Sequence, residues 1–442
     1  MELGIPVGCN AGIVDPHSVD SMAFRSAVTK SVVVGVCLVC VGHVLQLHTR
    51  LLSDDAKHAL GYPPDSLLNF TERSARYGYP AEEHRLLTQD GYILTVFRMA
   101  GTRRDGGAGA PPVILMHGLL QSADAWLDAG PGAGLAYLIA DAGHDLWLGN
   151  VRGNYYSRDH VRLRPDTDPQ FWDFSVDEIG LYDVPATIDY VLNYTKADKV
   201  NYVGFSQGAG TFFIMCSERP DYCDKVGVLV ALAPAARHTN TKSLPYKVLA
   251  KTINSMEYVL NLCGMQEVFS KGALSQEFMA FFCQFHWISE LVCGTAEAMF
   301  DSFHPGSIRK ETLKVLFGHF PAGTSTHNMA RYGQSMNSDR FQKFDYGRSN
   351  NIKLYGSHEP PSYNLSAVSA PAVVLYGEND HLVDERDVSW LLERLPNVLE
   401  AVRVSDPLWN HLDVTYSHLT NHSIFPKIND YLLKYSNDCQ FY

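Results

Sequence analysis

The chain has 442 residues, 46% of them hydrophobic and 19% charged, with a formal net charge of −12. This balance excludes a disordered chain and provides for a sizeable buried core, as one large domain with an insertion or as two to three average ones. The acidic charge and the lack of a Lys/Arg-rich run exclude nucleic acid as a partner, and the 18 histidines and nine cysteines show no convincing metal-ligand spacing.

Residues 31–41 form an apolar run after Lys30, too short to span a membrane comfortably. It reads as the core of a signal peptide within a leader over residues 1–50. Met22 as the translation start would put Arg25 and Lys30 in a short basic segment ahead of it. The competing reading is a retained membrane anchor. Cys37 and Cys40 belong to this run and are not read as ligands. A cleaved leader implies the secretory route, ending outside the cell or in the lysosome. Four sequons fit that route, at Asn69, Asn193, Asn364 and Asn421. An oxidising compartment also permits disulfides among Cys216, Cys223, Cys263, Cys283, Cys293 and Cys439. Cys283 with Cys293, in one helical segment, is the pair we expect.

Residues 83–98 alternate about Asp90-Gly91 and predict a β-hairpin. A Gly-rich stretch follows at 101–109. Short apolar runs at 112–116, 145–148, 200–203, 226–232, 372–376 and 399–404 predict buried parallel strands, with helix-compatible stretches between them. This alternation predicts an α/β fold with a mostly parallel, helix-flanked sheet. Residues 238–369 break the rhythm. They carry bulky apolar residues at helical spacing, among them Met256, Met265, Phe278, Met279, Phe281, Phe282, Phe285 and Trp287. We expect an inserted helical cap or lid there, over a core formed by 51–237 and 370–442.

Gly204-Phe205-Ser206-Gln207-Gly208 lies between a strand and a helix. The pentapeptide resembles the nucleophile elbow of the α/β-hydrolases, in which the order along the chain is Ser, acid, His. Serine needs a base within hydrogen-bond reach and an acid to orient that base. Asp380 follows the 372–376 strand and His411 follows the 399–404 strand, both at strand ends. That placement favours them over Glu378, Asp384 and Asp387, and over His381, His418 and His422. The oxyanion donors are then the backbone N–H groups of Gln207 and Leu119. His117 reads as a structural hydrogen-bonding residue, not as the base.

Residues 78–434 resemble the acid lipases, a family that includes gastric lipase, lysosomal acid lipase and many insect members. The resemblance rests on Gly78-Tyr79-Pro80, His117-Gly118-Leu119-Leu120-Gln121-Ser122, Leu146-Trp147-Leu148-Gly149-Asn150-Val151-Arg152-Gly153-Asn154, the elbow, Pro321-Ala322-Gly323-Thr324-Ser325 and Asn410-His411-Leu412-Asp413. It implies the α/β-hydrolase fold, Ser206, Asp380 and His411 as the triad, and Leu119 and Gln207 as oxyanion donors. It also implies hydrolysis of neutral lipid esters, triacylglycerol or cholesteryl ester, at a lipid–water interface, with no cofactor or metal. The alternatives are a carboxylesterase for smaller esters and a non-catalytic lipid-binding protein. Phe205 departs from the family, whose mammalian members commonly carry His there.

Overall fold

The computed structural model describes residues 52–99, 111–284, 293–295 and 300–437. The leader at 1–50 with Met22 and the 31–41 run, the 101–109 stretch, Phe285, Trp287 and Cys439 lie outside the described residues.

The hairpin comes first. β1 (Ala81–Leu87) and β2 (Tyr92–Met99) pair antiparallel, from Ala81↔Met99 to Leu87↔Ile93. Gly91 turns the chain at φ +104°, where a Cβ would be strained. The buried Arg152 guanidinium fastens this turn to the core, donating to Asp90 at 2.6 and 2.9 Å and to Asp183 at 2.8 Å.

The main sheet adds β3 (Val113–Met116), β4 (Leu146–Gly149), β5 (Asp159–His160), β6 (Val200–Phe205) and β7 (Val226–Leu232). Two short strands, β8 (Glu267–Val268) and β9 (Thr324–Ser325), stand apart from it, and β10 (Ala372–Tyr376) and β11 (Val398–Arg403) complete it. Its order is β1-β2-β4-β3-β6-β7-β10-β11, with β5 on β2. Pairing is antiparallel around β2 and parallel from β4 to β11. Strands β3, β4 and β6 are buried throughout, and β7 and β10 nearly so. Burial on both faces is why these segments read as continuous apolar runs. The register aligns Met116 with Gly204, Phe205 with Leu232, and Leu232 with Leu375. The carboxyl ends of the central strands therefore share one edge, where sites form in such sheets.

Helices α1 (Leu135–Asp141), α2 (Val184–Thr195) and α3 (Gln207–Glu218) belong to the first part of the core. Between β7 and β10 lie α4 (Leu244–Leu262), α5 (Leu274–Cys283), α6 (Lys310–His319) and α7 (Thr326–Ser335). After β10 come α8 (Glu385–Leu392) and α9 (Phe425–Asn437). Within the insertion, α4 packs on α7, and β8 pairs antiparallel with β9. Helical spacing alone does not reveal that pair, because two residues per strand carry no alternation. Phe278 and Phe282, two of the bulky apolar residues of this segment, are 44% and 39% exposed and stack on each other. Disulfides join Cys216 to Cys223 and Cys283 to Cys293.

Candidate active site

β6 ends in a turn that holds Ser206 at φ +51°, ψ −114°, and α3 begins at the next residue. A non-glycine residue in that conformation costs about 1–3 kcal/mol and persists only where its surroundings hold it. Here the Ser206 N–H donates to Leu232 O at 2.9 Å, and Ser206 O accepts from the N–H groups of Ala209, Gly210 and Ala235. The flanking glycines are steric requirements. A Cβ on Gly204 would lie 2.8 Å from the Gly208 backbone, and one on Gly208 would lie 2.4 Å from Met116 O. The serine thus sits buried at the amino end of a helix, where the dipole favours negative charge.

Asp380 and His411 arrive from the loops after β10 and β11. His411 Nδ1–H donates to Asp380 Oδ2 at 2.7 Å. Asp380 Oδ1 accepts from the N–H groups of Leu382 and Val383 at 2.9 and 2.7 Å. With Nδ1 engaged, Nε2 is the nitrogen left to take a proton. Burial alone would lower the imidazole pKa. The Asp380 charge and hydrogen bond, with Asp301 adding to them, outweigh burial and raise it. Phe205 packs its ring against His411, with centroids 4.8 Å apart, and also lies against Gly118.

Four of the rival residues are engaged elsewhere. Asp384 caps α8 and pairs with Lys242 and Arg386. Asp387 pairs with Arg237, Glu378 pairs at the surface with Arg403, and His418 bonds Ser307 O. His117 is buried and structural. Its Nδ1–H donates to Gly118 O at 2.8 Å, and its Nε2 accepts from the Val151 N–H and from Asn154. Burial lowers it to about 4, so it stays neutral around neutral pH.

The loop after β3 carries Leu119, and Leu120 beside it sits at φ +61°. Gln121 braces the loop: its Oε1 accepts the Gly118 N–H at 3.0 Å, while its Nε2 donates to Thr415 Oγ1 and the Tyr416 hydroxyl. From the insertion, the Ala322 N–H donates to Leu120 O at 2.7 Å. Gln207 is held from the same side, its Oε1 accepting from Asn328 Nδ2 at 3.0 Å and from the Tyr332 hydroxyl at 3.2 Å.

Leu119, Ser206 and His411 line one cavity of about 340 Å³. Its other walls are largely apolar and come mostly from the insertion, including Tyr246, Leu249, Phe269, Met279, Phe317 and Met329. Its largely apolar lining suits an acyl chain lying beside the serine. Of the sequons, Asn69, Asn193 and Asn364 are exposed and Asn421 is half-buried.

Sequence reasoning missed Asp301, Asn328 and Tyr332, which reach the site across more than 70 residues of chain. It also missed the Cys216–Cys223 disulfide. A usable signal existed for the latter, since Pro220 forces a turn between two cysteines seven residues apart.

Residues 111–413 match the α/β-hydrolase fold family, and residues 70–130 match the partial α/β-hydrolase lipase region. The chain is 40% identical to Lipase 1 of Drosophila melanogaster over 354 residues, covering 80% of this chain and 77% of that one. It is 36% identical to human gastric triacylglycerol lipase over 357 residues, covering 80% and 88%. Human lipase member K is 36% identical over 353 residues, covering 79% and 87%.

Proposed function

The chain belongs to the α/β-hydrolase lipases that these relatives represent, and from that premise we propose that it hydrolyses neutral lipid esters, triacylglycerol or cholesteryl ester, through Ser206, His411 and Asp380. The observation that carries this reading is the 2.7 Å His411–Asp380 bond in a site whose mostly apolar cavity also takes in Ser206.

In the proposed cycle, Ser206 Oγ attacks the ester carbonyl while His411 Nε2 takes its proton. Asp380 keeps the imidazole in the required tautomer and stabilises the imidazolium. The N–H groups of Leu119 and Gln207 hold the oxyanion, each such donor being worth about 3–4 kcal/mol in the transition state. His411 then protonates the leaving alcohol. Water, activated by the same ring, releases the acid from the acyl-enzyme. These steps need no cofactor.

Two disulfides and three exposed sequons support an oxidising, secretory destination, outside the cell or in the lysosome. The test is a panel of short- and long-chain esters assayed from acid to neutral pH, with Ser206→Ala beside the wild type. Long-chain preference that disappears in Ser206→Ala is expected. Preference for short soluble esters would replace this reading with a carboxylesterase.

A further inference from the structure

Among the described residues of the insertion, Asp301 is the acid that reaches both loops of the acid–base pair. It is 2% exposed. Its Oδ1 accepts the N–H of His381 at 3.0 Å, and its Oδ2 accepts the N–H of Leu412 at 3.1 Å. His381 follows Asp380, and Leu412 follows His411. One carboxyl group therefore links the backbone beside the acid to the backbone beside the base.

The residues after Asp301 repeat this bridging. Ser302 Oγ donates to Asn379 O, while Ser302 O accepts from Asn410 Nδ2 at 2.9 Å. Asn379 Nδ2 donates to Phe303 O at 3.3 Å. His304 Nδ1 donates to Asp413 Oδ2 at 2.7 Å, and the Ser307 hydroxyl donates to Asp413 Oδ1. Residues 301–307 thus form a strap across both loops, with Asp301 nearest the reacting pair.

We propose that Asp301 is a positioning residue of the ester-cleaving site, its carboxyl clamping the Asp380 loop to the His411 loop so that the insertion sets the geometry of acid and base. This rests on the function proposed above. An amide of the same shape would leave one of the two N–H donors facing an NH2, so a carboxyl is the group that fits both. The charged groups facing it are Asp380 and His411. His304, on the same strap, turns instead to Asp413 and Asp406. Burial and the Asp380 charge push Asp301 up to about 8, against the pull of His411 and the two N–H donors.

The test is steady-state kinetics on p-nitrophenyl butyrate with Asp301→Ala, Asp301→Asn and Ser206→Ala, each checked for folding by near-UV circular dichroism. Asp301→Ala is expected to lower kcat by ~10- to 100-fold with KM within ~3-fold, as misplacement of a catalytic pair by about 1 Å does. Asp301→Asn should recover part of that loss, and the transition near pH 8 in the wild-type kcat/KM profile should be missing from it. A folded Asp301→Ala with kcat within ~2-fold of wild type would overturn the proposal. Should Asp301→Ala not fold, Asp301→Asn decides: an unchanged kcat and an unchanged pH profile overturn it. Activity surviving Ser206→Ala would instead sink the functional reading itself. Activity lost in Ser206→Ala but indifferent to Asp301 overturns this inference alone.

Discussion

Phe205 lies with its ring 4.8 Å from that of His411, tilted by 39°. The residue ahead of the serine, where mammalian acid lipases commonly carry His, is thus an apolar wall for the base. It is itself buried and makes an edge contact with Trp126. Phe205→Leu keeps the volume roughly and loses the ring contact. We expect a loss of about 1 kcal/mol in stability, read by urea unfolding, and a several-fold fall in kcat. A kcat equal to wild type would show that the ring does not help place His411.

Asp380→Asn keeps the shape and reverses a hydrogen bond. The imidazole would then settle in the wrong tautomer, and kcat should fall by about 10⁴-fold, as in other serine triads. The folded-state His411 pKa is raised by Asp380, so the acid limb of kcat/KM lies above the ordinary imidazole value. In Asp380→Asn the residual activity should keep its acid limb at lower pH. A limb that does not move would take Asp380 out of this role.

Asn328→Ala removes one of two donors on Gln207 Oε1 and leaves Tyr332 as the other. Because Tyr332 still satisfies the buried oxygen, the loss of one bond should cost about 0.5–1.5 kcal/mol. We expect a fall in melting temperature and a reduced kcat with little change in KM, because Gln207 also supplies the proposed oxyanion N–H. An effect confined to KM would argue that α7 shapes only the acyl cavity.

The fold should be most stable near neutral pH and lose stability on both sides of it. On the acid side, burial holds His117 at about 4 and His238 at about 3, so the unfolded chain takes up protons below about pH 6.5 that the folded chain cannot. The alkaline side is set by groups whose pKa is raised. Burial raises Asp183 and Glu178, Asp301 stands at about 8, and hydrogen bonding to Asp413 raises His304. A raised pKa gives stability that is present at low pH and lost as pH climbs through the folded value. Asp128 and Asp384 run the other way: burial opposes them, yet Arg73 and Arg386 hold them below the usual carboxylate range. Their contribution is lost only as pH falls below about 4. Thermal melts across pH test the sign, and a maximum on the alkaline side would contradict it.

Reduction should lower the melting temperature. The two disulfides close loops of 7 and 10 residues, each worth roughly 2–3 kcal/mol in chain entropy. Melts with and without dithiothreitol measure it, with Cys216→Ser and Cys283→Ser apportioning the loss.

The sheet was legible because burial on both faces writes itself as an apolar run. The 226–232 and 372–376 expectations coincide with β7 and β10, while β6 runs two residues further, to Phe205. Ser206, Asp380 and His411 were legible because the fold fixes their order and their places at strand ends. Asp301, Asn328 and Tyr332 were not. Each is a polar residue in a segment whose pattern reports only helix or loop, and each acts on a partner 80 or more residues away. No local periodicity carries such information.

The insertion's grip on Leu120, Gln207, Asp380 and His411 has a consequence for engineering. Exchanging residues 238–369 for a relative's, to trade one ester preference for another, would also carry away Asp301, Ala322, Asn328 and Tyr332. Such a chimera would inherit a new cavity and an unbraced acid–base pair together. A graft that stops short of residue 300 leaves all four braces in place and, among the described residues, exchanges α4, β8 and α5 with their loops.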